Sequence, residues 1–233
     1  MAPTIHLIII GAILVIPTLI LATPTEEPDI SDATFIDYIE CSRRANKRKE
    51  IMKECISLEF TEEKINATLA LHNETEYIKS KHACRKQDEI LQCIREAGDD
   101  LKSFSNQSVV MVPFVSGMSE ESIRALCDND AELLNVLMNE TQGHCSSIVA
   151  IQCEPKLAGA DDFDNFEICD NPIPQPVDLD QKYICQKFLD FMECLEANID
   201  RCSEEMKEAV TRIIFKWKHE TTCSNYLDNV PEN

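Results

Sequence analysis

The sequence has few aromatic residues, few positive charges and no Cys-x-x-Cys pair. Aromatic residues make up 6% of its 233 residues, so large rings alone do little to stabilise the fold and covalent cross-links are expected. The 22 Lys and Arg residues are outnumbered by 42 Asp and Glu residues, and the formal net charge of −20 repels phosphate backbones and anionic lipid. The composition therefore argues against nucleic-acid binding and electrostatic membrane docking, and the missing Cys-x-x-Cys pairs argue against a structural zinc site.

The sequence also lacks a recognisable catalytic motif. Four histidines follow the N-terminal apolar run, and none belongs to a His-Glu-x-x-His helix or to a nucleophile motif; they are His72, His82, His144 and His219. We interpret them as surface or helix-end residues. His144 precedes Cys145, but a thiol held in a disulfide cannot act as a nucleophile. We therefore expect no enzyme activity, no catalytic residues and no cofactor.

Two acidic segments begin like calcium-binding loops. They are Asp128–Glu132 and Asp162–Glu167, and both lack the glycine at the sixth position and the glutamate at the twelfth that an EF-hand requires. We interpret them as solvated acidic loops and expect no metal site.

A short basic run stands out in this acidic chain: Arg43, Arg44, Lys47, Arg48 and Lys49. Its structural interpretation is a solvated helix face, paired in part with acids from another segment. Its functional interpretation is a docking patch or a cleavage site at Lys47-Arg48. The sequence leaves both open.

The N-terminal region predicts export. Residues Leu7–Leu21 form an apolar run of 15 residues, no charged side chain precedes Glu26, and Ala22 is a small residue suited to cleavage. The run is short for a membrane span, which needs about 20 residues. We therefore expect a signal peptide at 1–22 and a secreted, extracellular chain at 23–233 without stable membrane insertion. An uncleaved anchor is the competing interpretation.

The cysteines predict a disulfide framework. An even number of cysteines behind a signal peptide indicates up to six bridges, although twelve cysteines allow roughly ten thousand complete pairings. The twelve are Cys41, Cys55, Cys84, Cys93, Cys127, Cys145, Cys153, Cys169, Cys185, Cys194, Cys202 and Cys223.

Four sequons predict N-glycosylation, and none has proline in the middle. The acceptors are Asn66, Asn73, Asn106 and Asn139. A glycan cannot be buried, so each acceptor also predicts an exposed position.

The apolar periodicity predicts an all-α fold. Helices are expected over about 32–58, 76–104, 181–199 and 203–221, with further starts at Ser119 and Asp130. The stretch from His144 to Leu157 fits either a short helix or a buried strand. Prolines and acids over 155–180 predict a loop or lobe boundary, so the bundle is either one compact unit or two lobes. Trp217, the single tryptophan, is expected to anchor the core.

Two cysteine-bounded segments resemble each other, Cys84–Cys93 and Cys185–Cys194. Each has eight residues between its cysteines, and nine steps along a helix turn it by about 900°, which places the two cysteines on opposite faces. Each helix should therefore be bridged to two different neighbours. Duplication and convergent packing explain the similarity equally well.

The cysteine pattern resembles a known family, the insect 27-kDa hemolymph glycoproteins. The segment 185–223 is similar to the closing segment of that family, 132–153 resembles the stretch before it, and 84–93 resembles its earlier paired-cysteine helix. From the first to the last, these segments span 84–223, about two thirds of the predicted mature chain, whereas Cys41, Cys55 and the basic run match less clearly. The resemblance implies a helix-rich protein of hemolymph or a gland secretion, without an established activity, and no catalytic residue is carried over.

We expect a secreted, non-enzymatic glycoprotein that binds a small apolar ligand or an extracellular protein partner. The alternative is a secreted effector, such as a venom or saliva toxin-like protein, and a hydrolase with an unrecognised site is a weaker third hypothesis. A continuous apolar cavity would favour the carrier, whereas a filled core with an exposed apolar patch would favour partner binding.

Overall fold

The computed structural model describes residues 32–72, 78–138, 140–157, 168–170, 172 and 180–227. Several predicted features lie outside these residues: the signal peptide at 1–22, the sequons at Asn73 and Asn139, and most of the predicted boundary over 155–180. In the described part, the regular structure is helical throughout and contains no β-strand. The predicted all-α class is confirmed, and the stretch that fitted either a helix or a strand is a helix.

We number the helices in chain order. The main helices are α1 (Asp32–Ser57), α2 (Glu62–His72), α3 (Ile78–Arg85), α4 (Gln87–Leu101), α5 (Asn106–Met138), α6 (Glu140–Cys153), α7 (Gln181–Asn198), α8 (Glu204–Glu220) and α9 (Ser224–Leu227). Short 3-10 turns follow α1, α6 and α7, at Leu58–Phe60, Glu154–Leu157 and Ile199–Arg201.

The two C-terminal helices start at side-chain caps. The carboxylate of Asp180 accepts a hydrogen bond from the backbone N–H of Tyr183 at 2.7 Å, and the hydroxyl of Ser203 accepts one from Met206 at 3.2 Å. Each cap satisfies an N–H that the first turn of a helix leaves without a partner. The predicted helix start at Ser203 is therefore confirmed.

Helix α5 corrects the prediction of separate helices starting at Ser119 and Asp130. It runs unbroken from Asn106 to Met138 and contains Pro113. The hydroxyl of Ser119 donates back to the carbonyl of Val115 at 2.9 Å, so this serine lies inside the helix instead of capping it. A distortion remains near the second predicted start, since Asn129 and Ala131 have φ of 53° and 64°.

The start of α5 is held by a segment that is distant in sequence. Asp170 accepts hydrogen bonds from the backbone N–H groups of Gln107 and Asn106, at 2.9 and 3.2 Å. Ser105 donates its hydroxyl to the carbonyl of Ile168. Residues 168–170, which we call the strap, are therefore bonded to the first turn of α5.

All twelve cysteines lie in the described part, where they form six disulfides and leave no free thiol. The pairs are Cys41–Cys169, Cys55–Cys93, Cys84–Cys127, Cys145–Cys202, Cys153–Cys194 and Cys185–Cys223. The predicted disulfide framework and the disulfide-crosslinked helical bundle are confirmed.

The predicted bridging of each paired-cysteine segment to two neighbours is also confirmed. Cys84 is joined to α5 and Cys93 to α1, whereas Cys194 is joined to α6 and Cys185 to Cys223 after α8. The first segment is not one continuous helix, because a turn at Lys86 separates α3 from α4.

The buried apolar side chains gather in three clusters. Cluster 1 joins α5, α7 and Trp217, cluster 2 joins α1, α4 and Ile123, and cluster 3 joins α6, α7 and α8. Helices α5 and α7 each contribute to more than one cluster. The fold is therefore a helical bundle with three core regions that share helices.

Candidate ligand-binding cavity

A partly enclosed cavity of about 380 Å³ lies among the three clusters. Its wall includes Ile94 of cluster 2, Met111 and Met118 of cluster 1, and Val210 and Ile214 of cluster 3. Helices α1, α4, α5, α6, α7 and α8 all contribute lining residues. The cavity thus occupies the space in which a single continuous core would be expected.

Small residues on the facing helices help to leave this space open. Ala97 and Gly98 of α4 and Ala125 of α5 line the wall, and each offers little side-chain volume. A Cβ at Gly98 would lie 2.9 Å from the hydroxyl oxygen of Ser116, so glycine permits the close approach of α4 to α5. On α8, Ile213 and Trp217 line the same cavity.

The strap supplies one part of the wall. Ile168 lines the cavity, and the next residue, Cys169, is bonded to Cys41 of α1. The strap is also held to α5: Ser105 donates a hydrogen bond to Ile168, and the first turn of α5 donates to Asp170. A disulfide and two groups of hydrogen bonds therefore position Ile168.

The charged side chains that line the cavity are basic. Lys49 and Lys216 line the cavity, and no Asp or Glu appears among the described residues that form its wall. Lys216 forms ion pairs with Asp128 and, at 3.8 Å, with Glu220. Burial lowers the pKa of Lys49, and the like charge of Lys53 lowers it further, against the attraction of Glu50. The environment of Lys49 therefore disfavours its charge.

Trp217 anchors the core, as predicted, and also contributes to the cavity. Its side chain is 5% exposed, and its ring lies 5.3 Å from that of Phe188. Among the described residues, its buried indole N–H has no hydrogen-bond partner. Trp217 therefore belongs both to cluster 1 and to the cavity wall.

The side chains of the basic run contact different partners. Arg43 pairs with Glu40 at 2.7 Å, Arg44 lies over the ring of Phe104, and Arg48 pairs with Asp100 of α4 at 2.9 Å. These contacts match the structural interpretation of the run, including its pairing with another segment. Lys49 differs from these three arginines because it lines the cavity.

Of the two interpretations of the histidines, surface or helix-end residues, only the second fits His82, which lies in the last turn of α3 and is buried. This side chain is 0% exposed, and its Nε2 lies 2.6 Å from the carbonyl oxygen of Glu59. Its Nδ1 lies 2.8 Å from the hydroxyl of Thr68. His219 is exposed beside Phe215, and the side chains of His72 and His144 lie outside the description.

The segment Asp128–Glu132 is not a solvated loop. It lies within α5, where Asp128 pairs with Lys216 and Glu132 pairs with Arg212 at 3.1 Å. Asp162–Glu167 lies outside the described residues. Within the described part, no group of three His, Cys, Asp or Glu side chains could hold a metal ion.

Two predicted glycan acceptors can be located. Asn66 lies on the exposed face of α2, and Asn106 is exposed at the first position of α5. The amide of Asn106 donates to Asp170 at 3.3 Å, near the strap. Both positions have the exposure that a glycan requires.

Sequence reasoning missed the apolar wall formed by the first part of α5. Met111, Val112, Val115 and Met118 line the cavity, yet no helix was predicted over this stretch. The signal was the apolar spacing from Val109 to Met118, which Pro113 obscures because proline usually ends a helix.

Comparison of the chain with protein-family models, curated proteins and solved structures finds no match. Over the described ranges, no helix is both long and apolar enough to span a bilayer. The geometry and chemistry of the cavity therefore carry the functional inference.

Proposed function

We propose that this protein is a secreted, non-enzymatic glycoprotein that carries a small apolar ligand in its central cavity. The observation that carries this proposal is the apolar cavity of about 380 Å³ among the three core clusters. Its volume falls within the range of about 300–1,000 Å³ that is typical of small-molecule sites. Apolar cavities of about 150 Å³ in other proteins already bind small aromatic molecules.

Packing energetics support a ligand in this space. Side chains around a void lose the dispersion contacts that neighbouring atoms would provide. A molecule with an apolar surface restores those contacts and removes its own surface from water, at about 25 cal/mol per Å². The six disulfides support the same role, because they hold the helices around the cavity without a continuous core.

The first test is mass spectrometry of a solvent extract of the protein purified from its native fluid. The proposal expects a recurrent apolar molecule at close to one per chain. Protein that is repeatedly free of ligand, and that binds no apolar probe after purification, would contradict the carrier role.

A cavity-filling variant sharpens this test. Ala150 of α6 lines the cavity, so Ala150→Phe should reduce ligand occupancy at least tenfold. The matched control is Ala197→Phe, which makes the same change at an exposed position of α7 and should retain the ligand. Equal occupancy in the two variants would locate the ligand elsewhere.

Secretion and glycosylation belong to the same proposal. The apolar N-terminal run, the fully paired cysteines and the exposed acceptors Asn66 and Asn106 support them. The resemblance to the insect 27-kDa hemolymph glycoproteins supports a body fluid or gland secretion as the source. Enzymatic removal of N-glycans should lower the mass of the native protein, and Asn66→Gln and Asn106→Gln should each remove one glycan.

Partner binding or an effector action is the second candidate. Phe35, Ile36 and Ile39 near the start of α1 are exposed, although their spacing is that of an apolar helix face. An exposed apolar patch is typical of a docking surface. The effector role predicts toxicity or a specific protein complex that Ile36→Lys abolishes, while ligand occupancy of the cavity stays unchanged.

A further inference from the structure

Most polar side chains in the cavity wall already have a partner within the protein. The hydroxyls of Ser119 and Thr221 each donate to a backbone carbonyl four residues earlier, at 2.9 and 2.8 Å. Ser146 and Ser147 also have partners. The amide of Asn46 belongs to an exposed residue, where water can satisfy it. These groups therefore have little need of a hydrogen bond from a ligand.

The two lysines of the wall are engaged as well. Lys216 forms ion pairs with Asp128 and Glu220, and Lys49 also has an interaction partner in the protein. A charged ligand would lose its hydration on entering an apolar cavity, and it would meet cations whose charge is already engaged. The wall therefore favours a neutral ligand.

Two hydroxyls of the wall make no hydrogen bond within the described part of the chain, those of Ser116 and Ser122 on α5. Both side chains are half-buried. The only fully enclosed side-chain group without a partner in that part is the indole N–H of Trp217, so the two hydroxyl oxygens are accessible. Each can donate a hydrogen bond to, or accept one from, a molecule in the cavity.

The position of the Ser116 hydroxyl is fixed by its contact with α4. A Cβ at Gly98 would lie 2.9 Å from its oxygen and 3.5 Å from Cγ1 of Val112. Gly98 has no side chain that could cover this hydroxyl, and all three residues line the cavity. The Ser116 oxygen is thus a polar point beside apolar neighbours, where a hydrogen bond is stronger than in water.

The hydroxyl of Ser116 penalises a pure hydrocarbon. A hydrocarbon that fills the cavity displaces water from this oxygen and leaves it without a partner, which is unfavourable. A ligand with its own oxygen at this point replaces the lost hydrogen bond. Few well-placed polar groups in an apolar wall are the usual source of ligand specificity.

We propose that the cavity selects a neutral, largely apolar molecule that bears a hydroxyl or carbonyl oxygen, and that Ser116 forms a hydrogen bond with this oxygen. This inference rests on the proposed carrier function and names the class of its ligand.

The test is displacement of the fluorescent apolar probe N-phenyl-1-naphthylamine from the delipidated, fully disulfide-bonded protein at pH 7. The competing ligands are octan-1-ol, octane and octanoate, which have chains of equal length. The parent protein should bind octan-1-ol at least tenfold more tightly than octanoate. Ser116→Ala should weaken octan-1-ol binding about fivefold, as expected for one hydrogen bond between neutral groups, and leave octane binding within twofold.

The matched control is Ser119→Ala. It makes the same change on the same helix and in the same cavity wall, but at a hydroxyl that donates to the carbonyl of Val115. This variant should leave octan-1-ol binding within twofold. The affinity of the probe is measured for each variant, and a thermal melt verifies that each is folded.

The outcomes separate the two proposals. Equal losses of octan-1-ol affinity in Ser116→Ala and Ser119→Ala, or equal losses for octan-1-ol and octane in Ser116→Ala, would overturn the role of Ser116 and leave the carrier function standing. Octanoate that binds as tightly as octan-1-ol would overturn the preference for a neutral ligand. If neither the probe nor any of the three ligands binds, the carrier function itself is contradicted for ligands of this size, and the proposed selectivity falls with it.

Discussion

The disulfide between Cys41 and Cys169 joins the N-terminal helices to the strap on the cavity wall. The other five disulfides, all within the described part, each connect cysteines within 41–127 or within 145–223. Cys41–Cys169 is thus the one covalent link between these two parts of the folded chain, apart from the backbone. Its sequence separation of 128 residues is also the largest.

Loss of this disulfide should affect both stability and ligand binding. The double variant Cys41→Ser, Cys169→Ser should lower the free energy of unfolding by about 4 kcal/mol, since long loops gain most conformational freedom when released. It should also weaken the binding of an apolar probe in the cavity, because Ile168, which lines the cavity, loses the covalent restraint of its neighbour Cys169. Urea unfolding and calorimetry measure the two effects. The control is the double variant Cys84→Ser, Cys127→Ser, which should lower the free energy of unfolding by about 3–4 kcal/mol and leave the affinity of the cavity for its ligand unchanged. Equal losses of affinity in the two double variants would contradict a role for the strap.

His82 should stabilise the packing of α3 against α2 and the turn before it. His82→Ala removes the side-chain partner of the Glu59 carbonyl and one of the two partners of the Thr68 hydroxyl, which also lies 3.0 Å from the carbonyl oxygen of Lys64, so we expect a loss of about 2–3 kcal/mol in urea unfolding. The exposed His219 is the control, and His219→Ala should stay within about 0.5 kcal/mol of the parent. Similar losses in both variants would show that the buried hydrogen bonds are unimportant.

Glu120 should make a pH-dependent contribution to stability. The hydrogen bond from Arg95 of α4, followed by that from Arg124, lowers the pKa of Glu120 despite partial burial. Its stabilisation is therefore present above the unfolded-state pKa, about 4.3, and is lost as the pH falls through the lower folded-state pKa.

Glu120→Gln should accordingly reduce stability by about 0.5 kcal/mol at pH 7, a small value because the pair is partly exposed. The difference from the parent protein should be smaller near pH 3 than at pH 7, as measured by urea unfolding at both pH values. A difference that is the same at both pH values would rule out the ion pair as its source.

Lys49→Met should raise the stability of the ligand-free protein. Burial lowers the pKa of this lysine, so its charge is unfavourable in the folded state at neutral pH. The resulting destabilisation of the folded state is present below the folded-state pKa of Lys49, and it vanishes as the pH rises past the pKa of lysine in the unfolded chain, about 10.4. A gain of about 0.5 kcal/mol at pH 7 is expected, because solvent screens a half-buried group. A thermal melt checks this, and Lys53→Met, which breaks the pair with Glu50, should give no gain.

Much of the architecture could be predicted because it depends on local pattern. The cap at Ser203 and the apolar spacing of Val210, Ile214 and Trp217 are sufficient to predict α8. Helix α5 was divided in the prediction because Ser119 and Asp130 look like caps. Whether a serine caps a helix or bonds back to the preceding turn depends on the packing around it, which local sequence does not encode.

The sequence by itself determined the helical class, the cysteine framework and the placement of the core tryptophan, since periodicity and composition are local properties. Only the tertiary structure decided which cysteines pair, that His82 is buried, and that Lys49 leaves the basic run to line a cavity. A cavity is bounded by side chains from six helices, so its existence depends on how those helices pack against each other. That relation is set by long-range contacts, and no single stretch of sequence contains it.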